Sequence, residues 1–193
     1  MIVKNSSKIS NSSFNDGTLA YTFKEANEML NALKPKQFTI ADTTMILLYA
    51  QHEKPICGRV LLVKEFFLLV KEILNEYDIQ DPQFVAYRYG AYSFSLGSVL
   101  SNLEFLGYMA RMGNKNSKNE QFKLTNKGKE VASEIWDNLS KDIQNEIATK
   151  RMGWDQLGRD GILRLVYRKY PKYARNSYIK GRYKEISWGK DWI

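Results

Sequence analysis

The segment 59–77 constrains the fold most, because apolar residues cover most of the circumference of the helix that it predicts. Its charged residues Lys64, Glu65, Lys71 and Glu72 form one narrow stripe with a seven-residue spacing. A helix with so small a polar face is buried on most of its sides. We therefore expect it at the centre of the hydrophobic core, or shared with a second subunit.

The segments that follow predict strands as well as helices. Residues 83–89 alternate enough to form a short strand, and a helix capped by Ser93 is expected over 93–106. Two further strands, 108–111 and 121–124, bracket a polar Gly/Asn/Lys/Ser loop and predict a hairpin. The fold class that we expect is therefore α+β, mostly helical.

The helices on either side complete a recognisable order of elements. Asp42 can cap a helix ahead of segment 59–77, and Thr125 can cap a helix after the hairpin. Helix, helix, strand, helix, hairpin, helix is the order of a winged helix-turn-helix. In that arrangement the helix 93–106 takes the place of the recognition helix, and the hairpin loop is the wing.

Three regions are expected along the chain. Residues 1–20 are rich in Ser and Asn and predict a flexible arm. Residues 21–150 form the winged-helix domain, which begins with an extra helix opened by a Thr22/Glu25 capping box. Residues 151–193 form a basic C-terminal extension, in which a turn at Gly153-Trp154 precedes a helix over 161–170.

Charge points to a polyanionic partner. The chain has 29 Lys and Arg against 21 Asp and Glu, a net charge of +8. Residues 151–193 hold 11 of these cations and four acids, so this extension carries +7, and it also holds 8 of the 16 Tyr and Trp residues. Nucleic acid or an acidic protein surface is the partner that such a segment favours.

The same composition argues against several classes of protein. A single Cys excludes a disulfide within the chain, and with a single His there are too few ligands for a zinc cluster. His52 and Cys57 flank a Pro turn with no third group to orient them, so a structural role is the simpler interpretation. We expect no enzyme, no metal and no cofactor. The longest apolar stretch is interrupted by charges and no signal peptide is evident, so we expect a cytoplasmic protein with no membrane segment.

Several short motifs follow one another in a characteristic order along residues 42–140. They are Pro55-Ile56-Cys57-Gly58-Arg59, Lys64-Glu65-Phe66, Tyr87-Arg88-Tyr89-Gly90-Ala91-Tyr92-Ser93, Leu103-Glu104-Phe105-Leu106-Gly107 and Leu124-Thr125-Asn126-Lys127-Gly128. This region resembles the YwgA-like group of small winged-helix proteins, which is similar to the Panacea (SocA-like antitoxin) domain, and residues 161–178 resemble the tail of archaeal members. Ala91 stands where those groups usually have Pro. The resemblance implies a winged-helix fold, and partners that are often proteins.

Three groups of residues are candidates for DNA contact. The outer face of helix 93–106 presents small polar side chains that can donate and accept in the major groove, and the wing and the C-terminal segment supply cations for phosphates. The first group is Ser95, Ser98, Ser101 and Asn102, the second is Arg111, Lys115 and Lys118, and the third is Arg164, Arg168, Lys172 and Arg175.

Two main functions remain open at this point, and RNA binding is a third, supported only by the interleaving of Arg and Tyr in the C-terminal segment. The first is a winged-helix protein that binds double-stranded DNA as a homodimer and regulates transcription. The second is an antitoxin- or adaptor-like module that binds a protein, because helix 93–106 contains no Lys or Arg and Glu104 is its only charge. The wing tip can equally be a solvated turn, and the C-terminal tyrosines can equally pack on the core. DNA binding requires the wing cations and the C-terminal arginines to share a face with helix 93–106.

Overall fold

The computed structural model describes residues 22, 37–51, 54–117, 119–183 and 185–186. The chain divides into a unit Met1–Pro35, of which only Thr22 is described, and a unit Lys36–Ile193, whose fold follows. The predicted N-terminal arm and the body of the helix predicted after Thr22 lie outside the described residues. The described chain is α+β and mostly helical, as predicted.

Two helices form the centre of the core. Helix α1 spans Ile40–Tyr49, and helix α2 spans Arg59–Leu68 and continues as a π-helical turn over Leu69–Ile73. The cap of α1 is Thr39, where the sequence predicted Asp42. The Thr39 side chain accepts from the Asp42 amide and the Asp42 carboxylate accepts from the Thr39 amide, a reciprocal capping box.

The burial of α2 corrects one prediction. Eight consecutive residues from Leu61 to Leu68 are buried, and they include Lys64 and Glu65. The expected charged stripe on the surface therefore begins only at Lys71, which is exposed on the π-helical turn. The helix lies in the core, where it contacts the strand Gly90–Tyr92 and the long helix Lys141–Lys169.

A small antiparallel sheet packs beside these helices. Its strands are β1 (Ile56–Cys57), β4 (Met109–Met112) and β5 (Gln121–Leu124), in the spatial order β1-β5-β4. The pairing of β4 with β5 confirms the predicted hairpin, shifted by one residue at its first strand. Strand β1 is too short for an alternating pattern, and the sequence did not predict it.

The single strand predicted over residues 83–89 is wrong. The structure has a second hairpin there, formed by β2 (Val85–Tyr87) and β3 (Gly90–Tyr92). Gly90 permits the tight turn, because its φ is +87° and a Cβ at this position would lie 2.5 Å from the ring of Tyr167.

Helices α3 (Phe94–Phe105) and α4 (Asn126–Trp136) begin where their caps predict. The Ser93 and Thr125 side chains accept from the amides of Leu96 and Gly128, which satisfies a free donor in each first turn. The C-cap of helix α3 is Leu106, and Gly107 follows with a φ of +73°.

The long helix α5 spans Lys141–Lys169, followed by the short helix α6 (Pro171–Ala174) and a 3₁₀ turn over Lys180–Arg182. The predicted turn at Gly153-Trp154 is wrong, because both residues are helical and Trp154 is buried. The break falls instead at Gly158, whose φ of 59° and ψ of −169° interrupt the helix. The predicted boundary between residues 150 and 151 thus lies inside α5. No helix in the described ranges is long and apolar enough to cross a membrane.

Candidate functional site

The outer face of α3 carries the first predicted group. Ser98, Ser101 and Asn102 are exposed and Ser95 is half-buried. The hydroxyls of Ser98 and Ser101 donate to the carbonyls of Phe94 and Gly97 one turn earlier, so their oxygens stay open to solvent as acceptors. The face is polar and uncharged, as the sequence predicts.

Apolar side chains share this face. Phe94, Phe105 and Leu106 are exposed by 58%, 89% and 52%. Phe94, Ser98, Ser101 and Phe105 follow one another at helical spacing, so they form one stripe along α3. The sequence interpretation left out the two phenylalanines, although the same spacing in the sequence places them beside the serines.

The wing residues differ from one another in what they contact. Arg111 is held by the carboxylates of Glu104 on α3 and Glu120 at the end of the wing loop, the latter at 3.7 Å. Its charge is therefore balanced within the fold. Lys115 is exposed on the loop and makes no ion pair with the described residues. Lys118 lies outside the described residues.

The C-terminal candidates also separate into paired and unpaired cations. Arg164 binds Asp160 at 2.8 Å and also contacts Glu185, so it fastens the chain after α6 to α5. The hydrogen bond from Arg164 lowers the pKa of Asp160 and in turn raises the pKa of Arg164. Tyr183 also donates to Asp160, at 2.9 Å. Arg168 is exposed, with no carboxylate partner among the described residues.

Lys172 and Arg175 lie against the β2–β3 hairpin. The Asn176 side chain donates to the Ala86 carbonyl at 3.1 Å, and the Tyr178 amide donates to the Arg88 carbonyl at 3.0 Å. These bonds fix the C-terminal chain along β2, where Lys172 and Arg175 line a shallow recess of about 500 Å³. The tyrosines divide as the sequence allowed: Tyr173 packs on the core residue Phe67, whereas Tyr178 is exposed.

The hairpin connects these cations to α3. Strand β3 ends one residue before the Ser93 cap, and the ring of Phe94 lies 5.4 Å from the ring of Tyr87 on β2. The unpaired cations Lys172 and Arg175 therefore lie beside the first residues of this hairpin, and Arg88 lies in its turn.

A larger recess, of about 740 Å³, lies on the other side of the hairpin turn. It is lined by the first turn of α2, by the turn and tyrosines of the β2–β3 hairpin, by the wing loop and by Arg159 just after the break in α5. The sequence interpretation assigned no role to its cations, which are Arg59, Lys64, Arg88 and Arg159. Three of the motifs quoted for the family resemblance, those that begin at Pro55, Lys64 and Tyr87, contain residues that line this recess.

Lys64 is the unusual residue of this recess. Its side chain is buried, its ammonium donates to the Ala91 carbonyl at 2.5 Å, and burial lowers the pKa of Lys64 to about 7. The neighbouring Glu65 does not pair with it. Glu65 faces away toward the buried Arg151, with 3.0 Å between Glu65 Oε2 and Arg151 Nε.

The residues considered for catalysis are not brought into a cluster. Cys57 is exposed on β1 at the rim of the larger recess, and His52 lies outside the described residues. In the part of the chain that the structure describes, no group of three or more His, Cys, Asp or Glu side chains is arranged to hold a metal ion.

Comparisons with known proteins add no assignment to this geometry. No protein-family model matches the chain, and no curated protein matches it.

Proposed function

We propose that this chain is a winged-helix protein that binds double-stranded DNA and regulates transcription. The element order supports the winged-helix assignment: three strands pair as β1-β5-β4, and the β4–β5 hairpin directly follows the third helix of the group α1, α2, α3. In this arrangement α3 enters the major groove and the wing lies over the adjacent backbone.

One observation carries the proposal. The C-terminal segment is hydrogen-bonded along the hairpin that leads into α3, so Lys172 and Arg175 lie along β2 and Arg88 lies in the turn of the same hairpin. Such unpaired cations neutralise phosphates and release counterions, which gives affinity for DNA of any sequence. Lys115 on the wing and Arg168 on α5 add to the same class of contact.

Base contacts then come from the α3 face. Ser98, Ser101 and Asn102 present hydroxyl and amide groups that suit base edges, and an exposed Phe suits a thymine methyl. Arg111 and Arg164 have no part in this proposal, because carboxylates of the chain already balance them. Each subunit contributes one wing and one such helix, which is why we propose a homodimer on two half-sites.

Binding to a mixed-sequence duplex, measured by fluorescence anisotropy over a salt series, tests the proposal. The logarithm of the association constant falls with the logarithm of salt by about 0.9 per phosphate neutralised. We expect a slope that corresponds to several neutralised phosphates, and we expect K172E/R175E to reduce that number of phosphates by about two. The matched control is K141E/K150E, which reverses two exposed charges on the first half of α5, where Ala148 is bonded to Gln51 at the end of α1. No binding at low salt, or an equal loss in the control, contradicts the proposal.

The second candidate is a protein-interaction module, and the exposed Phe105 favours it. Contiguous apolar residues on the surface of a helix commonly mark a protein interface, and the absence of Lys and Arg from α3 fits that role. The substitution Phe105→Ser separates the two candidates. If the chain binds DNA mainly through cations that contact phosphates around α3, this variant leaves the salt slope for duplex binding unchanged. A native protein that fails to bind the duplex in the same experiment favours the second candidate.

A further inference from the structure

The larger recess has the size of a ligand site. Its volume of about 740 Å³ lies within the range of about 300–1,000 Å³ that small-molecule sites occupy. It is framed by four separate parts of the chain, so its shape depends on the whole fold. Its lining combines cations, tyrosine rings and backbone donors, which together suit one kind of ligand.

The charge of the recess is strongly positive. Among its described lining residues, four cations face a single carboxylate, that of Glu120. Glu120 is already engaged: it pairs with Arg59 at 3.2 Å and accepts from the Asn116 amide at 3.0 Å. Arg88, Arg159 and Lys64 make no ion pair with the described residues.

The buried ammonium of Lys64 has fewer acceptors than it has N–H donors. An ammonium has three N–H donors, and the Ala91 carbonyl is the one acceptor that the described residues supply. The Nε–H of Arg59 is also buried without an acceptor. A buried donor or charge without a partner costs free energy, and packing does not require a lysine at this position. An anion in the recess would supply the missing acceptors.

The first turn of α2 favours the same kind of ligand. Gly58 precedes the helix with a φ of +97°, and no side chain caps the helix. Free amides and the positive end of the helix dipole stabilise an anion at such a terminus. This feature adds to the buried lysine, which points to an anion independently.

Aromatic surface completes the site. Tyr87, Tyr89 and Tyr92 line the recess, and Arg159 lies over the ring of Tyr89, 5.3 Å from its centre. Tyrosine faces and guanidinium planes stack on flat heteroaromatic rings. A phosphate group on an aromatic ring system is the chemistry that matches both halves of the recess.

We propose that this recess binds a mononucleotide, with the phosphate facing Lys64, Arg59 and the first turn of α2, and the base against the tyrosines of the β2–β3 hairpin. The inference stands apart from DNA binding, because Lys64 is buried and neither Lys172 nor Arg175 lines this recess; Arg88 is the residue that the two proposals share.

Isothermal titration of the full chain with AMP, GMP, CMP and UMP tests the proposal, with adenosine and inorganic phosphate as partial probes. We expect at least one mononucleotide to bind with a Kd below about 1 mM and at least about tenfold more tightly than either partial probe. No binding of any mononucleotide overturns the proposal. Adenosine binding as tightly as AMP, or phosphate binding as tightly as the best mononucleotide, overturns it as well.

The variant Lys64→Met locates the site. Losing a charged hydrogen-bond donor should weaken mononucleotide binding about tenfold or more, while the folded protein melts at the native temperature or above it. Lys150→Met, which changes an exposed lysine of α5, is the matched control and should bind as the native protein does. Unchanged affinity in Lys64→Met overturns the proposal.

A second variant keeps the test decisive if Lys64→Met does not fold. Arg159 is exposed at the rim and carries no hydrogen bond or ion pair within the described residues, so Arg159→Gln should leave the fold intact. We expect it to weaken mononucleotide binding severalfold and to leave the salt slope for duplex DNA changed by no more than about one. Native mononucleotide affinity in this variant overturns the proposal, whatever the result with DNA.

Discussion

Helices α2 and α3 depart from the usual pattern of burial in opposite ways. Helix α2 encloses the charged side chains of Lys64 and Glu65, whereas α3 leaves Phe94 and Phe105 in solvent. Both departures run against the usual distribution of residue types, in which charges are exposed and large apolar groups are buried. Each is expected to lower stability or solubility. The comparison indicates that the positions to test for function are those where a charged residue is buried or a large apolar residue is exposed.

The two buried charges of α2 differ from each other as well. Glu65 has a charged partner in Arg151, and burial raises the pKa of Glu65 to about 8 although the Arg151 guanidinium opposes the rise. Burial likewise lowers the pKa of Arg151. Lys64 has a carbonyl as its one described partner. Glu65 and Arg151 thus form a structural pair, while Lys64 faces a recess.

The largest effect is expected from separating the structural pair. Arg151→Met leaves Glu65 buried without its cation, and losing one partner of a buried pair lowers the free energy of unfolding by about 3–5 kcal/mol. Burial already raises the pKa of Glu65 to about 8 in the native chain, and loss of Arg151 raises it further, so the loss of stability grows as the pH rises above about 8. Urea denaturation at pH 7 and pH 10 measures both effects. The double variant E65L/R151M should recover most of the loss, and equal losses in the single and double variants would contradict the pairing.

A smaller effect of opposite sign is expected at Lys64. Without ligand, Lys64→Met should raise the free energy of unfolding by about 1–4 kcal/mol, because a buried charge is replaced by an apolar chain of similar length. The folded pKa of Lys64 is about 7 and its ordinary value is 10.5, so the unfolded chain holds the proton more firmly between these values. Native stability therefore rises with pH over this window and the advantage of the variant shrinks. A variant advantage that is constant from pH 6 to pH 10 would count against a buried ammonium.

The smallest effect is expected on the exposed face of α3. Phe105→Ser should change the free energy of unfolding by less than about 0.5 kcal/mol, because a side chain exposed by 89% contributes little to the core. Leu100→Ala on the opposite face of the same helix is the contrast, with an expected loss of about 2–5 kcal/mol. Thermal denaturation of both variants checks the pair. A large loss in Phe105→Ser would mean that this face is covered by protein in solution.

Local features of the fold were accessible from the sequence. The caps Ser93 and Thr125 and the β4–β5 hairpin all depend on hydrogen bonds between residues close in sequence. Two predictions were wrong because a distant contact decided the conformation. The β2–β3 hairpin turns at Gly90 against Tyr167, and α5 continues through Trp154 because that side chain is buried in the core.

The candidate site shows the same division. The polar face of α3 follows from helical spacing, and the basic composition of the C-terminal segment is visible in the sequence. Tertiary structure alone decided which cations are unpaired, since Glu104, Glu120, Asp160 and Glu185 balance Arg111 and Arg164. It also brought Lys64, Arg88 and Arg159 to one recess. Spacing along the chain fixes helix faces and caps, but the environment of a charge depends on partners far away in sequence, and only the folded chain supplies them.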